Sequence, residues 1–354
     1  MKQKIKQKNY IAFGVGLFLL LIILAVFTLS VGAMKLPAHH TAQIVLGKLT
    51  ALGNAAAGEN LLTPFKANEI AVIWEIRLPR VLCGMFIGGG LAVAGTVFQA
   101  ILRNPLADPY TLGVSTGAAF GASVAILCNV LWAMVLPVTV CSMATALVTL
   151  AAVIAIAQKS GGLASHNLII SGIIVGSILS SGISFLKMMA GENVSAIVFW
   201  LMGSLSSRQW ADVAIVAPIV TLCTLLAFYW GKDLDIMLLG DETALSLGVN
   251  ANRIRLLYLI LGACITAACV SVSGIIGFIG LVVPHILRFR FTPYNRVLIP
   301  LSALVGAILL CLADNASRLL CAGEIPVGVL TTLIGGPFFV YIFIRRKNYG
   351  SSSY

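Results

Sequence analysis

Residues 109–158 form a run of 50 positions without a single Asp, Glu, Lys or Arg. One helix of that length would extend roughly 75 Å, more than twice the roughly 30 Å hydrocarbon core of a bilayer. In water the same run would lack the charged face that a soluble helix needs. Two crossings of a membrane satisfy both limits, with the turn placed between Asn129 and Pro137. The rest of the chain agrees. Of 354 residues, 59% are apolar and 10% charged, against roughly 25% charged in an ordinary soluble domain. The mean hydropathy is +1.02. A charged soluble surface, a disordered chain and a long coiled coil are all excluded. The expected fold class is all-α, a polytopic membrane protein.

Further spans read at 11–34, 81–102, 167–186, 213–231, 297–317 and 326–344. Two more lie in 256–287, which holds no Asp, Glu, Lys or Arg and breaks around Ser271, Ser273 and Gly274. The total is ten transmembrane helices in one domain, residues 1–354. Four lysines precede the first span, but its apolar stretch is too long for a signal peptide and no small-residue cleavage site follows, so it reads as an uncleaved anchor. Ten crossings leave both termini on one side. That side carries 15 of the 23 basic residues and the other side 8, five of them in the single loop 35–80 (Lys35, Lys48, Lys66, Arg77 and Arg80). By the positive-inside rule the termini are cytoplasmic, residues 1–10 forming a cytoplasmic tail and 35–80 a long loop on the outer side. The net charge of +11 is then a topology signal, and no nucleic-acid partner is needed.

The polar residues narrow the function. Asp314 is the strongest ionisable candidate in a span, and Arg318 one turn on suits an ion pair better than a proton relay. With no coupling residue and no phosphate-binding loop, uphill transport requires a separate ATPase. The cytoplasmic loop 232–252 offers a docking element: Asp241, Glu242, Thr243, Ala244, Leu245, Ser246, Leu247 and Gly248 read as a two-turn helix. Asp241 is placed at its N-cap, Gly248 just past its end, and Ala244, Leu245 and Leu247 are apolar residues seeking a partner. Small residues at four-residue spacing (Gly84, Gly88 and Ala92; Gly172, Gly176 and Ser180) serve close helix packing or line a path. Gly113-Val-Ser115-Thr-Gly117 matches a nucleophile elbow without triad partners, so no catalytic residue is assigned. His39-His40 is too small a cluster for a metal site. The eight cysteines contain no C-x-x-C and read as packing residues.

Taken in order, Ile76-Arg-Leu-Pro-Arg80, Asn104-Pro-Leu-Ala-Asp-Pro109, Leu112-Gly-Val-Ser-Thr-Gly-Ala118, Trp200-Leu-Met-Gly-Ser204, Gly277-Phe-Ile-Gly-Leu-Val-Val-Pro-His285, Ala313-Asp314 with Arg318, and Glu324-Ile-Pro-Val-Gly328 resemble the FecCD-type permeases. These are the membrane subunits of ABC importers for iron–siderophores, heme and cobalamin. The resemblance covers about residues 70–345. It implies the type II ABC importer permease fold, a homodimer with its pathway between the copies, two ABC ATPase subunits below, and a periplasmic or lipid-anchored solute-binding protein above. It further implies that the 35–80 loop is periplasmic, that the Asp241–Leu247 helix, with Gly248 past its end, is the coupling helix and that Arg77, Arg80 and Arg318 dock the binding protein. Asn104, Leu106, Ser165 and His166 then lie at the cytoplasmic gate, with Gly172, Gly176 and Ser180 along the pathway. No cofactor or metal is held by this chain; ATP and Mg belong to the ATPase, and this subunit is no enzyme. The expected cargo is an iron–siderophore crossing a bacterial cytoplasmic membrane. Cobalamin or heme is the sibling alternative, and an ion-coupled secondary transporter the alternative of a different class.

Overall fold

The computed structural model describes residues 2–32, 34, 36–320 and 324–350, with side chains over the same residues except 2–9, 52 and 341–350. Lys35 and Cys321 lie outside the described residues. The helices are α1 (Lys2–Ser30), α2 (Ala38–Gly53), α3 (Ala55–Leu62), α4 (Ala67–Ala71), α5 (Leu78–Ile101), α6 (Val114–Trp132), α7 (Val138–Lys159), α8 (Ser165–Ala190), α9 (Val194–Leu201), α10 (Trp210–Tyr229), α11 (Gly231–Met237), α12 (Asp241–Ser246), α13 (Ala251–Ser273), α14 (Ile279–Arg290), α15 (Asn295–Leu320) and α16 (Val327–Gly350). Among the described residues, eight helical stretches are long and apolar enough to cross a membrane. The eighth and tenth expected spans fall on shorter pieces: α14 has 12 residues, and the apolar part of α16 is Val327–Val340.

The 109–158 run divides where expected. Asn129 staples the turn, donating from Nδ2 to the Leu136 carbonyl (2.9 Å) and accepting from Leu136 N–H (2.7 Å). This matters because a turn at the end of a membrane helix leaves backbone groups in need of partners.

At the centre stands α5, buried over most of its length. Its small residues let neighbouring backbones touch. A Cβ on Gly88 would sit 2.4 Å from the Gly306 carbonyl oxygen of α15, and one on Gly95 only 1.7 Å from that of Gly280 in α14. The Gly84, Gly88, Ala92 stripe is therefore a packing face.

The segment 35–80 is not a plain loop. It folds into α2, α3, α4 and a π-helical turn, Val72–Arg77, around a small core of Leu36, Ile44 and Ile73. Its apolar residues are too widely spaced to make a span, yet they suffice to bury a satellite cluster. His40 belongs to that packing, edge-on to Phe65 at 5.3 Å.

The chain also breaks inside the bundle. After α13 ends at Ser273, residues 274–277 are non-helical, and the Tyr110 hydroxyl donates to the Ile276 carbonyl. Residues 102–113 likewise fold back between helices: Pro109 packs on Gly280 and Gly113 (φ +74°) on Gly172. Irregular backbone is tolerated at such depth when protein groups satisfy it.

The Tyr10 hydroxyl donates to the Phe291 carbonyl (3.2 Å), and Phe13 stacks on Phe291. The beginning of α1 and the end of α14 thus share one face, called here the amino-terminal face.

Candidate functional site

On the amino-terminal face, the short helix α12 is held off the bundle between α11 and α13. Gly240 (φ +118°) takes the N-cap position and Asp241 becomes the first helical residue. The expected N-cap role of Asp241 is thereby corrected. Its carboxylate instead accepts from the Arg255 guanidinium of α13 (3.0 and 3.1 Å) and from Arg103 Nη2 just beyond α5 (2.5 Å). Arg103 also donates to the Met237 carbonyl (2.9 Å). One carboxylate thus ties the start of α12 to the ends of two bundle helices. Burial on its own raises the Asp241 carboxyl, but the Arg255 hydrogen bonds and charge, followed by Arg103, bring it below the ordinary carboxylate range. The pair is asymmetric: the Arg255 side chain is 4% exposed, that of Asp241 49%.

Gly248 sits past the helix end with φ +83°, as the sequence implies. Of the apolar residues assigned to a partner, Leu245 and Leu247 are exposed, while Ala244 is fully buried and faces this chain. Leu239, 65% exposed, extends the open apolar surface and is a residue that sequence reasoning missed. Glu242 and Thr243 are exposed beside it.

The residues expected at the gate lie at the start of α8 and just past the end of α5. Ser165 Oγ at the start of α8 donates to the Ile101 carbonyl at the end of α5 (3.3 Å). Asn104 Oδ1 accepts from Leu106 N–H (2.9 Å), and both Leu106 and His166 are exposed. Along α8 the expected stripe splits. Gly172 is buried against Leu112 and Gly176 lies on Gly113, so both are packing residues, whereas Ser180 is open. The open face is carried instead by Ile170, Ile173, Ser177, Ser181, Ser184 and Met188, all exposed and at helical spacing with Ser180. The hydroxyls of Ser177, Ser181 and Ser184 each donate to the carbonyl four residues back. This is a mixed hydroxyl and aliphatic surface without formal charge from 167 to 186.

On the opposite face, the three expected docking arginines are already engaged. Arg77 is buried, donating to the Leu29 carbonyl (2.7 Å) and the Met34 carbonyl (2.5 Å). It pins the end of α1 to the π-helical turn that leads into α5, and it is 6% exposed. Arg80 forks onto Asp314 (2.9–3.2 Å) and reaches Glu324 (2.9 and 3.0 Å). Arg318 Nε lies 3.3 Å from Asp314 Oδ2, and its Nη2 donates to Asn315 (2.6 Å). The ion pair read from Asp314 and Arg318 is present, with Arg80 as an unforeseen third member. Glu324 stands outside the spans. Burial pushes it up, but hydrogen bonds and charge from Arg80 outweigh that and lower it. Two guanidinium groups that share one buried carboxylate would repel without it.

A family model described as the FecCD transport family matches residues 20–345. The chain belongs to the FecCD transport family. A Bacillus subtilis (strain 168) protein named as an uncharacterized ABC transporter permease, YvrB, is 37% identical over 99% of this chain and 98% of its own length. A Halobacterium salinarum protein named as the cobalamin import system permease BtuC is 40% identical over 78% of this chain and 74% of its own. A solved structure described as an inward-facing conformation of a metal-chelate type ABC transporter covers 94% of this chain and 99% of that one, at 31% identity and TM-score 0.81. This FecCD protein is therefore a multi-pass ABC transporter permease with the all-helical fold of that class, and its relatives are transport subunits.

Proposed function

We propose that this chain is the translocating subunit of an ATP-driven importer for a metal chelate, with an iron–siderophore as the first cargo to test. It works as a homodimer in a bacterial cytoplasmic membrane, both termini cytoplasmic. Two ATPase subunits, which carry ATP and Mg, seat on the amino-terminal face, and a solute-binding protein docks on the other. The observation that carries this reading is α12. Its Leu245 and Leu247 project outward, while Asp241 fastens its base to α5 and α13. A partner that pushes on the leucines moves two bundle helices through one carboxylate, and those helices flank the gate at Ser165 and Leu106. Nucleotide state then biases which gate is open. The uncharged hydroxyl and aliphatic face of α8 suits a large chelate whose metal charge is already neutralised.

The test is reconstitution with the ATPase and binding protein. Wild type is expected to accumulate iron–siderophore on ATP addition. Leu245→Asp should abolish assembly with the ATPase while leaving the helical content unchanged. Assembly undiminished in that variant contradicts the reading. The 40% identical relative named for cobalamin import favours cobalamin as the second cargo, and the same vesicles separate the two by which one is retained.

A further inference from the structure

The side of the bundle formed by α14, α15 and α16 carries a cleft of about 300 Å³. Ile279, Val282 and Ile286 of α14 line one wall, Val305 and Leu309 of α15 the second, and Phe338 of α16 the third. The lining is aliphatic and aromatic apart from Thr331, whose hydroxyl donates to the Gly328 carbonyl (3.1 Å). Nothing in it asks for a polar ligand. From Ile279 to Ile286 the cleft runs about 10 Å along α14, a third of a roughly 30 Å hydrocarbon core.

The end of the cleft has different chemistry. The stripe of α14 that lines it continues at helical spacing to Phe289 and Arg290, both exposed. Among the described residues, no carboxylate pairs with Arg290 and no hydrogen bond engages its side chain. The parallel helix α16 carries Arg345, Arg346 and Lys347 in sequence toward the same end. An apolar slot whose lining stripe runs on to a guanidinium without a partner among the described residues has the two-part chemistry of one molecule.

We infer that this cleft holds an acyl chain of an anionic phospholipid from the leaflet at the amino-terminal face, with its phosphate on Arg290. A guanidinium binds phosphate through paired, charge-assisted hydrogen bonds, and a neutral zwitterionic headgroup gains less there. The exposed ring of Phe289 stands beside Arg290 at the end of the apolar stripe, the kind of aromatic residue favoured where a membrane meets water. The lipid site is independent of the cargo and of the transport reading above.

The experiment uses the full chain in vesicles with a Leu309→Trp reporter in the cleft. Leu309 is 37% exposed, so a larger ring can be accommodated. Brominated-chain phosphatidylglycerol is titrated against brominated-chain phosphatidylcholine. The expected result is several-fold stronger quenching by phosphatidylglycerol at equal mole fraction, and loss of that preference when Arg290→Gln is added. Equal quenching by the two lipids overturns the inference, as does a preference that survives Arg290→Gln. Native mass spectrometry of Arg290→Gln without the reporter repeats the comparison. If retention of phosphatidylglycerol matches wild type there, the inference also fails. If quenching by both lipids is absent and the reporter is shielded only in the dimer, a second copy fills the cleft and the lipid assignment is wrong.

Discussion

The two faces of the molecule each carry an arginine–carboxylate knot, and they differ in burial. On the amino-terminal face, Asp241 is half exposed between Arg103 and Arg255. On the opposite face, Asp314 is 4% exposed between Arg80 and Arg318. Solvent reaches Asp241 and Arg103 and screens that arm of the first knot, while Arg255 behind it is buried. The second is sealed, and removing its anion leaves two buried cations facing each other. The same chemistry thus makes a movable tether at one end and a fixed staple at the other.

Breaking the staple has the largest effect. Asp314→Ala should cost about 3–5 kcal/mol, read as a steep fall in melting temperature and in folded yield from detergent. A change of only a degree or two would place Asp314 among surface pairs. Asp241→Asn is expected to do the reverse: a stability loss of about 0.2–1 kcal/mol, with ATP-driven uptake reduced on the order of tenfold because α12 no longer pulls on α5 and α13. Normal uptake by that variant would remove the tether from the mechanism.

Acid sharpens the contrast. The Asp241 carboxyl lies below its ordinary value when folded, so its stabilisation is fully present above the unfolded pKa of roughly 3.9. That stabilisation is lost only as pH falls through the lower folded value. ATP-driven uptake should therefore be flat from neutrality down to about pH 5 at fixed salt. A midpoint near neutrality would mean that another group titrates. Raising salt from low to near-molar concentration should weaken the Asp241 tether and spare the Asp314 staple, which uptake and melting temperature report separately. The smallest effect is expected at Glu324→Gln. It releases one arm of Arg80 while Asp314 holds the other, at a cost below about 1 kcal/mol. Affinity for the binding protein is then expected to rise slightly, since a competing carboxylate has gone.

Much of this was legible before the fold. Charge-free runs set the spans, and Asn129 and Pro137 marked a turn because an amide and a ring answer the backbone needs there. The Asp314–Arg318 pair followed from one-turn spacing. Arg80 did not, because its contact crosses from α5 to α15 and spacing is blind to that. Arg77 was misread for the same reason: an arginine near a span end looks like a surface group, and only the fold brings the Leu29 and Met34 carbonyls to it. The re-entrant 102–113 segment was punctuated by Pro105, Pro109 and Gly113, but punctuation gives a bend without its direction. The serines of α8 were in view. Their shared open face, rather than the Gly172 and Gly176 stripe, became visible only when residues 111–113 were found covering those glycines.

The central claim is that α12 passes force from a separate motor to the gate. Uptake by proteoliposomes tests it most directly, measured with this chain alone and again with ATPase and binding protein added, for wild type and Asp241→Asn. The account predicts no accumulation without the ATPase, ATP-dependent accumulation with it, and a large loss in the variant at unchanged ATPase binding. Accumulation by the chain alone would contradict it.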